Sequence, residues 1–503
     1  MSRESLRSYI LLSLCFALLS VSLLSISRSS ASSNTPLDTT NSIQIRDPFA
    51  VCHADNYSIM EELGVKMNRK DITWSAIEPS DDAWNWGTWD ARVNNLQSKN
   101  MTVLPILDYS NPSVQQDLTG DRMISSEGDI EEWLEYVNQC VERYYVNHSM
   151  NVTDWEIWNE ANLDKFWDGT DQEFFELQKR TAANLTAQWP DLNILSTGIS
   201  GHNPDYLDAM FNYGAMEDID TLAFHPYSGS NYDNLDIKID EVKEVCEKHD
   251  FEGGLWITEV GMSTQFNPDE PNYEAEYQAV LELQATLVPK VFAKSLAAGI
   301  EVVVWYCLED FNNWTWGEAN FGLVFEETNT YKPAAYDSDA LKPAGYAYKA
   351  LSHNLNWSTY CPRGININSP SLLSHKMNIY YFLQADGDIV LIAWNAQANP
   401  VDISFSIKAD GLEVYSAPSY KAGEAGNYES TLDGDDLQIS ASIDFTPTIF
   451  IIDRPDGASP VQIGLSFGFT YFDWILLVFV PIATVFVVVA FLVKMKKILP
   501  NIS

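Results

Sequence analysis

The sequence predicts an α/β fold, a (β/α)8 TIM barrel, followed by a small β-sandwich and a single C-terminal transmembrane helix. Eight short apolar runs alternate with amphipathic stretches, then strand patterns continue alone, and a charge-free apolar run comes near the end. Nearly continuous apolar runs are typical of parallel strands that are buried on both faces. Eight β/α units in roughly 300 residues have the size of a barrel.

Each apolar run is short enough for one strand, and a helical pattern follows several of them. An open doubly wound sheet is the alternative, but no Gly-x-Gly-x-x-Gly motif follows the first run. Helical patterns lie at Ile130–Tyr145, Gln172–Gln188, Ile237–Lys248 and Tyr273–Ala298. The eight runs are Phe49–Cys52, Val65–Asn68, Thr102–Leu107, Asp154–Trp158, Asn193–Thr197, Thr221–Phe224, Leu255–Thr258 and Val302–Tyr306.

The pattern divides the external part of the chain into segments. A polar linker at 32–44 precedes the barrel at 45–355, and a β-sandwich at 356–456 precedes a spacer at 457–472. In the sandwich, no clear helical pattern interrupts the strands. These strands are expected at Asn378–Gln384, Ile389–Trp394, Val401–Ile407 and Ser442–Ile452.

The two ends indicate a protein of the cell surface. Residues 1–31 have the basic start, apolar run and small residues of a secretory signal, with an uncleaved anchor as the alternative. Residues 473–493 include 20 consecutive uncharged positions, Trp474–Val493, enough to span a hydrocarbon core of roughly 30 Å. Three lysines follow in the tail, 494–503, which predicts a cytoplasmic tail. We therefore expect a single-pass type I membrane protein with its barrel outside, and seven external Asn-x-Ser/Thr sequences fit a glycoprotein.

Composition excludes several classes of function. The chain carries 30 Lys and Arg against 70 Asp and Glu, a net charge of −40, so nucleic acid is not expected as a partner. Six cysteines without a Cys-x-x-Cys pair do not form a disulfide scaffold or a zinc-finger pattern, although one or two bridges are compatible with them. No His-Glu-x-x-His or Gly-x-Ser-x-Gly motif occurs. Neither a metal nor a cofactor is predicted.

Two glutamates follow strands on opposite sides of the predicted barrel. Glu160 comes after the fourth strand and Glu259 lies at the seventh, and barrel sites are built at the C-terminal ends of strands. Hydrolysis of a glycosidic bond needs two carboxyl groups, one protonated and one ionised, facing each other across a sugar ring. The sequence therefore predicts Glu160 and Glu259 as catalytic residues acting on a carbohydrate.

Other polar and aromatic residues follow neighbouring strands and are expected at the same rim. Asn159 offers an amide to a sugar hydroxyl, and Arg69 and Tyr227 can keep Glu259 ionised. His225 can orient either the sugar or a carboxylate. Strict alternation along a strand would send Asn159 and Glu160 to opposite faces, so both reach the site only if the strand ends there.

The segment Trp155-Glu-Ile-Trp-Asn-Glu-Ala-Asn-Leu163, with Phe166 and Trp167, resembles the acid/base segment of clan A glycoside hydrolases. Family 39, the β-xylosidase and α-L-iduronidase group, looks closest. Ile257-Thr-Glu-Val-Gly261 resembles the nucleophile strand of that clan, and Ala223-Phe-His-Pro-Tyr227 resembles its sixth strand. The resemblance covers about residues 48–355, and the sandwich after it is similar to the accessory domain of that family.

The resemblance implies a retaining double displacement with Glu160 as acid/base and Glu259 as nucleophile. It also implies that Asn159 binds the sugar 2-hydroxyl and that Trp305 forms a stacking platform beneath the sugar. Ala161 departs from the family, which usually has proline there. The ligand expected from the first strand is His53 or Asp55.

Two other hypotheses fit the same residues. The barrel can serve a non-catalytic sugar-binding protein that retains both carboxylates, or the sandwich can serve a structural adhesion protein. Glycan binding that survives Glu→Gln changes at both glutamates, without turnover, would favour the first of these.

Overall fold

A computed structural model describes residues 39–467 except 116–122, 312, 314–316, 337–339, 364, 368–376, 397–399, 409–412, 419–427, 434–435 and 454–462. The predicted signal segment 1–31, membrane helix 473–493 and tail 494–503 lie outside these residues. Among the residues described, no helix combines the length and the apolarity that crossing a bilayer requires.

Eight of the first ten strands build the barrel, and they close on themselves. β2 to β6, β8, β9 and β10 follow one another as parallel neighbours, and β10 pairs back with β2. This ring of eight strands confirms the TIM barrel, with short β1 outside it and short β7 added beside β8. The strands are β1 (Ile43–Gln44), β2 (Phe49–Cys52), β3 (Met67–Asp71), β4 (Thr102–Leu107), β5 (Asp154–Ile157), β6 (Asn193–Leu195), β7 (Ile199–Ser200), β8 (Thr221–His225), β9 (Gly254–Val260) and β10 (Val302–Trp305).

Helices surround the barrel, and the longer ones begin at recognisable caps. The side chain of Ser126 accepts a hydrogen bond from the Asp129 amide at the start of α4. Thr170 and Glu173 form a capping box at the start of α5. The helices are α1 (Tyr57–Glu62), α2 (Trp74–Ile77), α3 (Gly87–Ser98), α4 (Glu127–Val141), α5 (Asp171–Gln188), α6 (Pro204–Tyr213), α7 (Leu235–Lys248), α8 (Tyr273–Ala297) and α9 (Pro343–Leu355).

The interior of the barrel is apolar below and polar above. Its lower layer is a cluster of buried side chains that includes Ala50, Met67, Leu104 and Trp256. Above it, toward the C-terminal ends of the strands, lie buried polar and charged groups, among them Arg69 and Glu156. Buried charges are costly unless they are paired, so this layer indicates where the chemistry of the molecule lies.

After α9 the chain forms two mainly antiparallel sheets. One has the strand order β1–β11–β13–β14–β19–β16 and the other β12–β20–β15–β18–β17, and buried side chains from both belong to one apolar cluster. Their strands are β11 (Thr359–Tyr360), β12 (Ile365–Ile367), β13 (Met377–Leu383), β14 (Ile389–Asn395), β15 (Val401–Lys408), β16 (Glu413–Pro418), β17 (Tyr428–Asp433), β18 (Asp436–Ile443), β19 (Thr448–Asp453) and β20 (Ile463–Phe467).

Two details of this region differ from the sequence prediction. The single strand expected over Ser442–Ile452 is divided between β18 and β19, because Asp444 accepts a hydrogen bond from the Thr446 amide at 2.7 Å and so makes a turn. The expected spacer at 457–472 contains β20, which pairs with β15.

The cysteines form no bridge in the described part of the chain. Cys52, Cys140, Cys246, Cys307 and Cys361 are all buried free thiols. The one or two bridges that the sequence left open are therefore absent among these five residues.

Candidate active site

A cavity of about 740 Å³ opens at the C-terminal ends of the barrel strands. Five of the seven residues predicted for the site line it: Arg69, Asn159, Glu160, Tyr227 and Glu259. His53, the candidate ligand after the first strand, also lines it. The other candidate, Asp55, is ion-paired with Lys70 at 2.9 Å and is not part of the wall.

Glu160 reaches the cavity because the backbone changes direction directly after β5. Trp158 and Glu160 have φ angles of 66° and 46°, in the left-handed region that non-glycine residues seldom adopt. The Glu160 amide donates a hydrogen bond to the Gly198 carbonyl at 2.9 Å. Since β5 ends at Ile157, its alternation stops there, and the neighbours Asn159 and Glu160 both face the cavity.

Glu259 lies near the end of β9 and is held by two donors. Arg69 donates to its Oε1 at 2.6 Å and the Tyr227 hydroxyl donates to its Oε2 at 2.9 Å. Burial raises the pKa of Glu259, whereas the electrostatic effects of His225, Arg69 and His53 lower it, as does the Tyr227 hydrogen bond. The net pKa lies below the usual value of a glutamate, so Glu259 is ionised at neutral pH.

The two glutamates face each other at short range. An oxygen of Glu160, a ring nitrogen of His225 and an oxygen of Glu259 all lie within 4.8 Å of one another. Retaining glycosidases hold their two carboxyl groups about 5–5.5 Å apart, whereas inverting enzymes need about 6.5–9.5 Å to admit a water molecule. The observed separation belongs with the retaining geometry.

His225 orients a carboxylate from behind the cavity wall. It is fully buried, and its Nδ1 lies 2.8 Å from Glu160 Oε1 while its Nε2 lies 3.0 Å from the Thr258 hydroxyl. That hydroxyl donates to Glu156 Oε1 at 3.3 Å, so its oxygen accepts the proton of His225 Nε2. Nδ1 of the neutral ring is then an acceptor, and it can receive a hydrogen bond from protonated Glu160.

Glu156 occupies the buried layer of the barrel rather than the wall of the cavity. It binds the Arg69 guanidinium through two hydrogen bonds, at 2.6 and 2.9 Å. Through Thr258 it also fixes the tautomer of His225. The sequence signal for this role was a glutamate inside an otherwise apolar strand.

Aromatic rings line part of the cavity, but Trp305 is not one of them. Its side chain is fully buried in the main core, and its Nε1 donates to the Phe321 carbonyl at 3.2 Å. The next residue, Tyr306, lines the cavity, as do Tyr109, Phe166 and Phe321. These rings, rather than the Trp305 indole, are placed to contact a sugar.

Two groups in the described chain bring three metal-type donors within 4.8 Å of one another. They are Cys52 with His53 and Glu259, and Glu160 with His225 and Glu259. In the second group each carboxylate already has a hydrogen-bonding partner: Glu160 has the His225 ring nitrogen and Glu259 has the Tyr227 hydroxyl. Such partners are typical of carboxyl groups that transfer protons.

Comparison with known proteins agrees with this geometry. The family model described as glycosyl hydrolases family 39 matches residues 119–326. A β-xylosidase from Geobacillus stearothermophilus is 25% identical over 283 residues, covering 52% of this chain and 50% of that protein. This chain thus spans about half the length of that curated relative.

Solved structures share the fold. A family 39 glycoside hydrolase from Bacteroides cellulosilyticus has a TM-score of 0.62 at 17% identity and covers 81% of each chain. A monomeric β-xylosidase from Caulobacter crescentus has a TM-score of 0.56 at 14% identity, over 84% of this chain and 98% of that one. Over residues 119–326 the chain is therefore similar to glycosyl hydrolases of family 39, and its barrel has the fold of a solved glycoside hydrolase of that family.

Proposed function

We propose that this protein is a membrane-anchored, outward-facing enzyme that cleaves O-glycosidic bonds with retention by double displacement. Glu160 acts as acid/base and Glu259 as nucleophile. The observation that carries the proposal is the pair of carboxyl groups on opposite sides of one cavity, with oxygens within 4.8 Å. The nearby hydrogen bonds favour an ionised Glu259 and allow a protonated Glu160.

In the first step, ionised Glu259 attacks the anomeric carbon while Glu160 gives its proton to the departing oxygen. A covalent glycosyl–enzyme forms and the aglycone leaves as an alcohol. Arg69 and Tyr227 hold the two oxygens of Glu259, so the carboxylate is oriented before the substrate arrives. In the second step, ionised Glu160 takes a proton from water, which attacks the same carbon and releases Glu259.

The amide of Asn159 is oriented for sugar binding. Arg69 Nη2 donates to Asn159 Oδ1 at 2.8 Å, and a guanidinium can only donate. The oxygen of the amide is therefore turned toward Arg69, and the NH2 group is left to donate. This supports the role of Asn159 as a ligand of a sugar hydroxyl.

The test is turnover of aryl β-xyloside, β-glucoside, β-galactoside and uronide substrates by the full-length protein and two variants. Glu259→Ala should lose at least about 10³-fold in kcat on every substrate, because no nucleophile remains. Glu160→Ala should lose most on substrates with poor leaving groups, since good ones need no proton. Glu127→Ala removes a glutamate whose side chain is 71% exposed on α4 and serves as the control with unchanged turnover.

Stereochemistry gives an independent test. Proton NMR of the first product should show the anomeric configuration of the substrate, and the opposite anomer would contradict the retaining mechanism. Near-normal activity of Glu259→Ala would exclude it as nucleophile. A folded wild type that binds glycans and turns over none would instead indicate a sugar-binding protein.

The proposed location at the cell surface depends on the sequences of the two terminal segments, 1–31 and 473–503. We propose that residues 473–493 anchor the protein and that the two sheets after α9 form an accessory β-sandwich beside the barrel. Alkaline carbonate should leave the full-length protein in the membrane fraction and release a chain cut after residue 470. Release of both chains would contradict the anchor.

A further inference from the structure

Asp71 is a carboxylate in the cavity wall that the proposed mechanism does not use. It is the last residue of β3 and lines the cavity. It follows Arg69 by two positions, so the two side chains share the inner face of the strand and Asp71 lies closer to the mouth. The residue between them, Lys70, pairs with Asp55 at 2.9 Å instead.

Asp108 backs Asp71 from inside the protein. It directly follows β4 and is fully buried, and within the described chain neither of its carboxylate oxygens has a hydrogen-bond donor. Asp108 lies at the end of the strand next to that of Asp71, since β3 and β4 pair in parallel with Asp71 opposite Ile106. Burial together with the Asp71 charge raises the pKa of Asp108 well above its usual value. Two neighbouring carboxyl groups do not both ionise readily, so Asp108 keeps its proton and can donate it toward Asp71.

His53 holds Asp71 on another side. Its Nδ1 lies 3.2 Å from Asp71 Oδ2. Burial raises the pKa of Asp71, but the His53 hydrogen bond and charge, the Asp108 hydrogen bond and the Arg69 charge outweigh it. The net pKa of Asp71 lies below its usual value, so the cavity wall carries an ionised carboxylate in a fixed orientation.

The cations of the cavity wall are already engaged. Arg69 uses Nε on Glu156, Nη1 on Glu259 and Cys52, and Nη2 on Glu156 and Asn159, which accounts for all five of its N–H bonds. Lys165 pairs with Glu318 at 3.2 Å, and His53 pairs with Asp71. Among the described residues, each of the basic side chains that line the cavity therefore already has a carboxylate partner.

We propose that Asp71, positioned by Asp108, is a specificity-determining residue that restricts the site to neutral sugars. Its oxygens accept hydrogen bonds from sugar hydroxyls, and its charge repels a uronic acid in a cavity that offers no unpaired cation in return. Asp108 is a positioning residue that acts through Asp71. This inference rests on the proposed glycosidase function and narrows its substrate class.

The test compares kcat/KM for neutral glycosides and their uronides in the full-length protein and four variants. Asp71→Asn removes the charge, Asp108→Asn keeps a donor toward Asp71, and Asp108→Leu removes it. Asp55→Asn makes the same chemical change outside the cavity. Thermal melting of each variant confirms folding at the assay temperature.

We expect the wild type to use a neutral substrate at least 100-fold better than any uronide. Asp71→Asn should lower kcat/KM for the neutral substrate at least tenfold. It should also reduce the ratio of kcat/KM for the neutral substrate to kcat/KM for the uronide at least tenfold. Asp108→Leu should behave like Asp71→Asn, while Asp108→Asn should keep most of the activity that the leucine loses. Asp55→Asn should match the wild type.

A uronide turned over as well as its neutral partner would overturn the proposal, as would an Asp71→Asn variant within threefold of wild type. If the wild type hydrolyses nothing, calorimetric binding of D-xylose, D-glucose and D-glucuronate separates the two failures. If neutral sugars bind in a way that depends on Asp71 and glucuronate does not bind, Asp71 still determines specificity although the protein is not a glycosidase. Glucuronate bound as well as glucose, or neutral sugars bound equally well by Asp71→Asn, would refute it.

Discussion

Glu160, the proposed acid/base, depends on a backbone conformation that is unfavourable for most residues. Trp158 and Glu160 both have positive φ, a state that costs on the order of 1–2 kcal/mol in a non-glycine residue. Burial of the Trp158 ring, with its Nε1 donating to the Phe166 carbonyl at 3.1 Å, helps to offset this cost. Core packing thus stabilises the conformation that brings Glu160 to the cavity.

The Tyr227 hydroxyl should control the acidic side of the pH profile. Glu259 must be ionised to act, and its pKa is lowered by His225, Arg69, His53 and Tyr227 against the effect of burial. Tyr227→Phe removes one lowering contribution, so the acidic limb of kcat/KM should move to higher pH, while kcat/KM at its optimum falls about tenfold or more. A pH profile between 3 and 9 measures both effects.

Tyr232→Phe is the matched control for that variant. The Tyr232 hydroxyl is also buried but donates to the Gly261 carbonyl at 2.7 Å. Its loss should lower stability and leave the acidic limb in place. An equal displacement of the limb in both variants would show that Tyr227 acts through packing.

The two glutamates that line the cavity, Glu160 and Glu259, could be placed there from the sequence because carboxylates after apolar strands have no evident packing role; their catalytic roles stay predictions. The roles of His225 and Trp305 could not be settled in that way. Both end or nearly end a buried strand, and only tertiary packing turns His225 toward Glu160 and Trp305 into the core. Asp71 was missed because its neighbour Asp108 follows a different strand, β4, and sequence spacing does not reveal that proximity.

At the scale of elements, the eight barrel strands were predictable because strands buried on both faces leave continuous apolar runs. The short strands β7 and β11 leave no such signal, since two residues have no period. The turn at Asp444 was missed because apolar residues continue on both sides of it. The local sequence pattern therefore predicts whether a segment is a helix or a strand. Where a strand ends can instead depend on a single hydrogen bond, as at Asp444.

The loop after β6 is a further constraint at this scale, and Gly198 tests it. A Cβ there would lie 2.3 Å from His225 Nε2, 2.6 Å from Glu156 Oε1 and 2.8 Å from Thr258 Oγ1. Gly198→Ala should therefore displace His225 and lower kcat about 100-fold, together with an overpacking cost of about 1–3 kcal/mol. Steady-state kinetics and urea unfolding of the same preparation measure the two effects.

Gly128→Ala is the control for Gly198→Ala. Nothing lies within 4 Å of a Cβ at Gly128, which is in the first turn of α4. Alanine should stabilise the helix by up to about 1 kcal/mol and leave kcat unchanged. Full activity in Gly198→Ala would mean that the chain around His225 adapts, and that the orientation of its ring is not critical.

At the scale of the whole molecule, the barrel and the sheets after it share one hydrophobic core. Phe382, Trp394 and Ile449 of the six-stranded sheet belong to the same buried cluster as Leu355 of α9 and the outer faces of the barrel strands. Apolar burial on this scale is the main stabilising contribution in folding. We therefore expect the two parts to unfold together.

Lys290 should make the stability of the folded protein depend on pH. It lies in α8, its side chain is buried, and its Nζ has no hydrogen-bond partner within the described structure and sits 3.1 Å from the centre of the Phe445 ring. Burial, the largest effect, lowers its pKa to about 8. The folded protein therefore releases this proton at lower pH than the unfolded chain, and stability should rise as the pH rises through 8 toward 10.

Lys290→Met should remove that dependence. The methionine fills similar volume without a charge, so stability at pH 7 should equal or exceed that of the wild type by about 1 kcal/mol. Urea unfolding of both proteins at pH 7, 8, 9 and 10 gives the comparison, because the other titrating groups cancel in the difference. The advantage of the variant should shrink as the pH rises and the wild-type lysine loses its proton. Lys290→Met can also be made in a Phe445→Leu background. If Lys290→Met lowers stability at pH 7 in both backgrounds, the ammonium is stabilised by its neighbours Asp233 and Asp444. If it lowers stability only when Phe445 is present, the stabilisation comes from the cation–π contact.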